Sequence, residues 1–234
     1  MANPYFDFKN FRVWHDRSSM KVGTDGVLLG AWAPVEHATR ILDIGCGCGL
    51  VALIAAQRNR EARVTGVDID EASIRQAREN ADHSPFGLRI ELLTADIRTL
   101  TAAPFDCIVS NPPFFDENLL PPDARRAQAR HTQGLALDEL LTAARRLLTP
   151  HGLFSLILPA QRADTLLSQA AAQGFALVRR TDVVTRSPKP PRRTLLCLSP
   201  TSPDAATRRD TLVLTDADGS RSAEHAALTR DLYL

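Results

Sequence analysis

Ile41-Leu42-Asp43-Ile44-Gly45-Cys46-Gly47-Cys48-Gly49 is the stretch that decides how this 234-residue chain folds. Its first four residues read as a short apolar strand. The alternating glycines then let the backbone turn sharply and approach a ligand with no side chain in the way. A helical pattern follows from Leu50 to about Arg58. Strand, glycine turn and helix in that order open an α/β sheet. A dinucleotide fingerprint requires glycine three places after its second glycine, and here that place holds Leu50. Asp43, just ahead of the loop, would also repel a pyrophosphate. No Gly-Lys-Ser/Thr follows, which excludes the phosphate loop of nucleotide hydrolases.

The alternation continues downstream. Val64 to Val67 reads as a second strand, ending in Asp68-Ile69-Asp70, with Asp70 capping a helix over Glu71 to Ala81. Arg89 to Leu93 is a third strand, ending in Thr94-Ala95-Asp96-Ile97, and Phe105 to Val109 a fourth. Leu137 to Leu148 is helical, Leu153 to Leu158 is a fifth strand, and a helix over Ala160 to Gln173 is closed by Gly174. Phe175 to Val184 and Arg193 to Leu198 are two further strands joined by a proline-rich connection. The fold expected is α/β and Rossmann-like: a mostly parallel seven-stranded sheet with helices on both faces. With no internal repeat and no linker, residues 1–234 are expected to form a single domain. Residues 1–35 would be an N-terminal cover segment. Residues 36–234 would be the core, with substrate-facing insertions near 115–135 and 184–193.

Within the cover segment, Phe6-Asp7-Phe8-Lys9 alternates as a half-buried strand does, and Asn10 suits a turn, so a small hairpin is expected. Met20-Lys21-Val22-Gly23-Thr24-Asp25-Gly26 reads as a loop entering a short helix with Val27, Leu28, Leu29 and Trp32 on its apolar face. On the residues alone, Thr24 or Asp25 caps that helix.

Composition narrows the function classes. A hydrophobic fraction of 44% supports a packed core, and a net charge of +1 gives no global pull toward nucleic acid, so any basic surface must be local. No run is apolar and long enough to span a bilayer, and the N-terminus does not resemble a signal peptide. The four cysteines, Cys46, Cys48, Cys107 and Cys197, have neither zinc nor disulfide-framework spacing. The expectation is a cytoplasmic protein with no metal, no membrane contact and no obligate protein partner.

Open parallel sheets bind ligands at the carboxyl ends of their strands. Asp43, Asp68, Asp96 and Asn111 should therefore face one cleft. Asp68 can accept both hydroxyls of a ribose, Asp96 can accept an adenine amino group, and Asp43 suits an amino group better than a phosphate. This is the pattern expected for S-adenosylmethionine. Ser110-Asn111-Pro112-Pro113-Phe114 completes it. The two prolines stop the strand, because neither donates a ladder hydrogen bond, and they stiffen the backbone around Asn111. The Asn111 side chain and the Pro112 carbonyl can each accept one N–H, and Phe114 can stack on a ring, so the stretch suits a planar group carrying an NH2.

These residues resemble the class I S-adenosylmethionine-dependent methyltransferases and, more narrowly, the bacterial tRNA1(Val) (adenine(37)-N6)-methyltransferases. The class is carried by Leu42-Asp43-Ile44-Gly45-x-Gly47-x-Gly49, Asp68, Asp96 and Asn111-Pro112-Pro113-Phe114. The narrower family is carried by His15-Asp16-Arg17-x-x-Met20-Lys21-Val22-Gly23-Thr24-Asp25-Gly26, Leu28-Leu29-Gly30-Ala31-Trp32, Gln128-Ala129-Arg130-His131-Thr132 and Leu228-Thr229-Arg230-Asp231-Leu232-Tyr233-Leu234. Phe114 stands where many amino methyltransferases carry Tyr, which keeps stacking and loses a hydroxyl. The resemblance implies methyl transfer to N6 of adenine 37 in the tRNA anticodon loop. It implies that Lys21, Thr24 and Asp25 help close the cofactor site, replacing the capping role, with Ile69 and Ile97 beside Asp68 and Asp96. Contacts to the RNA backbone would come from Arg125, Arg126 and Arg130, and from Arg179, Arg180, Arg186, Lys189, Arg192 and Arg193. The alternatives are an rRNA guanine N2-methyltransferase, a protein-glutamine N5-methyltransferase, a non-catalytic cofactor- or RNA-binding protein and an NAD(P)-dependent oxidoreductase. Leu50 and Asp43 disfavour the last.

Overall fold

A computed structural model describes residues 3–18, 20–113, 135–201 and 206–234. The chain opens with a hairpin, β1 (Tyr5–Asp7) and β2 (Arg12–Trp14), followed by α1 (Thr24–Trp32). The main sheet is built from β3 (Arg40–Ile44), β4 (Arg63–Asp68), β5 (Ile90–Thr94), β6 (Phe105–Ser110), β7 (Leu148–Pro159), β8 (Ala176–Arg186), β9 (Arg193–Ser199) and β10 (Arg208–Thr215). The helices between and after these strands are α2 (Leu50–Arg58), α3 (Glu71–Asp82), α4 (Leu137–Leu147), α5 (Ala163–Ala172) and α6 (Ala223–Leu228). The strand order is β10-β8-β9-β7-β6-β3-β4-β5. Only β9 runs against its neighbours β7 and β8.

Side chains alternate across the strands and so serve two helix layers. Ile41, Val64, Val109 and Ile157 point to the side covered by α1 and α2, where Leu28, Leu29, Trp32 and Ala52 meet them. Leu42, Val67, Ile108 and Leu156 point to the side of α4 and α5, against Leu140, Leu141 and Leu166. β3 and β6 are buried on both faces, which explains their near-continuous apolar sequences.

The eighth strand corrects the expected seven. β10 pairs in parallel with β8 at the sheet edge, and only Leu212 in it is buried. Its charged, exposed start carries little of the strand pattern, as suits an edge that must not recruit other strands. Asp210 from this strand pairs with Arg179, whose guanidinium lies 4.7 Å from the centre of the Trp32 ring. Arg180 pairs with Asp164 and Asp182. Both arginines, expected on an RNA surface, are thus engaged within the fold.

Candidate cofactor and substrate cleft

The glycine loop takes the turn expected of it. Gly45, Gly47 and Gly49 have φ of 70°, 53° and 83°, a region that side-chain-bearing residues rarely adopt. Gly49 is the N-cap of α2 and has no side chain with which to cap it. Asp43 does that work from inside the sheet: its Oδ2 accepts from the Ala52 N–H at 3.0 Å, one of the unpaired donors of the first turn. Asp43 is 1% exposed and is not among the residues that line the cleft. Burial raises its pKa to about 7, against the opposing effect of the Ala52 N–H.

Asp68 ends β4 beside the loop. Its carboxylate accepts from Gly47 N–H at 2.9 Å and from Asp70 N–H at 2.9 Å. An ionised carboxylate has about four acceptor positions, so two remain for a diol. Asp70 caps α3 through Ala72 and Ser73, as expected. Asp96 is committed elsewhere: Arg98 donates to both of its oxygens through Nε, Nη2 and the backbone N–H, and this pairing lowers its pKa. By the same count, three donors leave Asp96 about one acceptor position for an adenine amine. Ile69 offers an open apolar surface, 59% exposed, while Ile97 is buried.

A cleft of about 420 Å³ lies over the loop. One wall is Gly45–Cys48 with Leu50 and Val51; the facing residues are Met20, Lys21, Gly23–Gly26, Asn111, Pro112 and Arg193. Its volume falls within the usual range for small-molecule sites. The sequence candidates Lys21, Thr24, Asp25, Gly45, Gly47, Asn111 and Pro112 therefore converge. Neither Thr24 nor Asp25 caps α1; Gly23 holds that position without a side-chain bond. Asp25 instead binds Arg193 Nε at 2.7 Å. Arg193, expected on an RNA surface, is thereby placed in the cleft, because β9 starts at the end where its antiparallel neighbours finish. Met20, part of the N-terminal motif, joins the cleft as well. Its Sδ accepts from Asn111 Nδ2 at 3.6 Å.

Asn111 is half-buried, Pro112 buried and Pro113 exposed. Ser110 Oγ donates to the Ile44 carbonyl at 2.9 Å, tying the end of β6 to the end of β3. Phe114, Arg125, Arg126, Arg130 and the stretch Gln128–Thr132 lie outside the described residues. Arg186, Lys189 and Arg192 are exposed on the β8–β9 connection, at the cleft end of the sheet. Cys46 and Cys48 line the cleft as neutral thiols: burial raises the first well above its ordinary pKa and the second to about 11. Among the described residues, no cluster of His, Cys, Asp or Glu could hold a metal ion. No helix among them is long and apolar enough to cross a membrane.

Comparison with known proteins agrees with this geometry. The solved structure of a predicted O-methyltransferase from Agrobacterium tumefaciens superposes with a TM-score of 0.71 at 23% identity, covering 89% of this chain and 96% of that one. A ribosomal protein L11 methylase from Lactobacillus delbrueckii gives a TM-score of 0.58 at 19% identity over 80% and 83% of the two chains. Both show the fold. The family model of the methyltransferase small domain matches residues 18–179, so the chain belongs to that family and has the α/β class I methyltransferase fold. Three relatives refine this. A Bacteroides fragilis protein is 44% identical over 100% of this chain and 99% of its own. Proteins from Phocaeicola vulgatus and Aeromonas hydrophila are 46% and 45% identical, the first over 100% of this chain and 99% of its own, the second over 99% and 98%. Each is named tRNA1(Val) (adenine(37)-N6)-methyltransferase, and within the small-domain family the chain belongs with them.

Proposed function

We propose that this protein methylates N6 of adenine 37 in the anticodon loop of tRNA1(Val), in the cytoplasm, with S-adenosylmethionine as methyl donor. The observation that carries the reading is the meeting of Asn111 and Pro112 with the glycine loop on one cleft. The glycine-loop backbone, Lys21, Thr24, Asp25, Asp68 and Ile69 would hold the cofactor. Ile97 would contribute backbone at the adenine end, and Asp96 the acceptor position that Arg98 leaves open. The bound cofactor supplies an electrophilic methyl group on a cationic sulfonium.

The chain's own residues address the acceptor. An exocyclic adenine nitrogen is a poor nucleophile because its lone pair is delocalised into the ring. Asn111 Oδ1 and the Pro112 carbonyl would accept its two N–H groups, favour a tetrahedral nitrogen and localise the pair. Met20 Sδ accepts an N–H of the Asn111 amide, and Oδ1 would then be the atom offered to the acceptor. Pro112 and Pro113 keep these acceptors rigid. Alignment of this kind can supply roughly 7–11 kcal/mol of barrier reduction. As the new N–C bond forms and the S–C bond breaks, the nitrogen becomes strongly acidic and releases its proton to water without a dedicated base.

An anticodon-loop base unstacks at low cost and can enter such a pocket. Phe114 would stack on it. Arg186, Lys189 and Arg192, with Arg125, Arg126 and Arg130, would bind the RNA backbone through salt-sensitive contacts. The test is incubation with total tRNA and ribosomal RNA and labelled cofactor, followed by mass spectrometry of the modified nucleoside in each RNA. N6-methyladenosine confined to a valine tRNA is the expected product. N2-methylguanosine in ribosomal RNA would contradict it.

A further inference from the structure

Helix α3 buries a row of polar side chains against the N-terminal segment. Asn80 is fully buried. Its Oδ1 accepts from Trp14 N–H at 2.8 Å, and its Nδ2 donates to the Trp14 carbonyl at 2.8 Å and to the Cys48 carbonyl at 2.9 Å. One carboxamide thus grips both backbone groups of Trp14 and, with its remaining N–H, the glycine loop. Gln76 lies one turn away on the same face and is also fully buried. Its Oε1 accepts from Arg17 N–H at 3.1 Å, and its Nε2 donates to Asp16 at 2.6 Å. Ser18 and Ser73 hydroxyls are 3.2 Å apart, and the Arg17 guanidinium pairs with Glu79 outside the row.

Residues 14–18 therefore run along α3 in a fixed register. The chain then passes the glycine loop so closely that a Cβ on Gly47 would lie 3.5 Å from Ser18 Oγ. It re-emerges as Met20–Gly26, the cleft wall opposite that loop. We propose that Asn80 and Gln76 are positioning residues of the cofactor site: they strap the N-terminal segment over the glycine loop and so set both walls at once. This rests on the reading of the cleft as the S-adenosylmethionine site. Neither side chain touches the cleft; each acts through backbone it holds.

The test measures S-adenosylhomocysteine affinity by calorimetry, and kcat and KM for tRNA at saturating cofactor, in wild-type protein, Asn80→Ala and Gln76→Ala. Cofactor-product affinity should fall about tenfold or more in Asn80→Ala and about threefold to tenfold in Gln76→Ala, each loss exceeding any loss in kcat at saturating cofactor. Wild-type affinity in a folded variant, or a fall in kcat at unchanged affinity, would overturn the proposal. Hydrogen exchange of the wild-type protein decides the matter even if a variant fails to fold. The Trp14 and Arg17 amides should be slow, and slower still on adding S-adenosylhomocysteine; amides indifferent to it would overturn the strap. Absence of binding by the wild-type protein would instead defeat the cofactor reading itself.

Discussion

The two walls of the cleft are built in opposite ways. The glycine-loop wall comes from one short stretch, Gly45 to Cys48 with Leu50 and Val51, shaped by backbone conformation and fixed from beneath by Asp43 and Asp68. The facing wall is assembled from distant parts of the chain: Met20–Gly26, Asn111–Pro112 and Arg193. Its cohesion comes from side chains, the Asp25–Arg193 pair and the Met20–Asn111 contact. The first wall is a rigid cradle set by local geometry. The second depends on long-range partners and can be retuned one residue at a time.

The largest expected effect within this comparison is on the cradle. Gly49→Ala forces a side chain into a left-handed conformation, worth about 1–2 kcal/mol of strain. It also sets the new Cβ 3.2 Å from that of Ala77. Titration with S-adenosylhomocysteine should show at least about a tenfold loss of affinity; undiminished binding would mean that backbone conformation does not build this wall.

A smaller effect is expected across the cleft. Arg193 and Asp25 are 40% and 32% exposed, so screening limits their pair to about 1 kcal/mol, or roughly fivefold. Arg193→Gln and Asp25→Asn should each weaken cofactor binding by no more than that through the pair. A double-mutant cycle should show coupling; strictly additive losses would mean that the ion pair contributes nothing.

The last effect is a slope of stability on pH rather than a change in affinity. Asp43 has its pKa raised from 3.8 to about 7 by burial. Between those values the folded protein keeps a proton that the unfolded chain releases. Its contribution to stability is therefore present below about pH 4 and lost as pH rises to about 7. Urea unfolding of Asp43→Asn, which does not titrate, should show the variant gaining on the wild type across that window and running parallel above it. A difference independent of pH would contradict the buried titration.

This contrast also explains what the sequence discloses. The cradle was legible because its determinants are neighbours: alternating glycines after an apolar strand leave few other conformations. Asp70 was legible as a cap for the same reason. The roles of Asp43 and Arg193 were not. Strand-end position suggested that Asp43 faces the ligand, yet Gly49 cannot cap α2, and the buried acid is drawn to the helix instead. Arg193 sits among other basic residues in sequence, but the reversal of β9 turns it toward Asp25, 168 positions away. β10 escaped notice because an edge strand needs only one buried residue. Asn80 and Gln76 looked like ordinary polar positions on an amphipathic helix; only the fold reveals the backbone they hold.

The central claim is that Asn111 orients the acceptor amine without holding the cofactor. It is tested most directly by measuring, on one preparation of Asn111→Ala, both S-adenosylhomocysteine affinity and tRNA methylation. Affinity within about threefold of wild type, with turnover reduced by about a hundredfold or more, is the expected result. Full turnover by this variant would contradict the account.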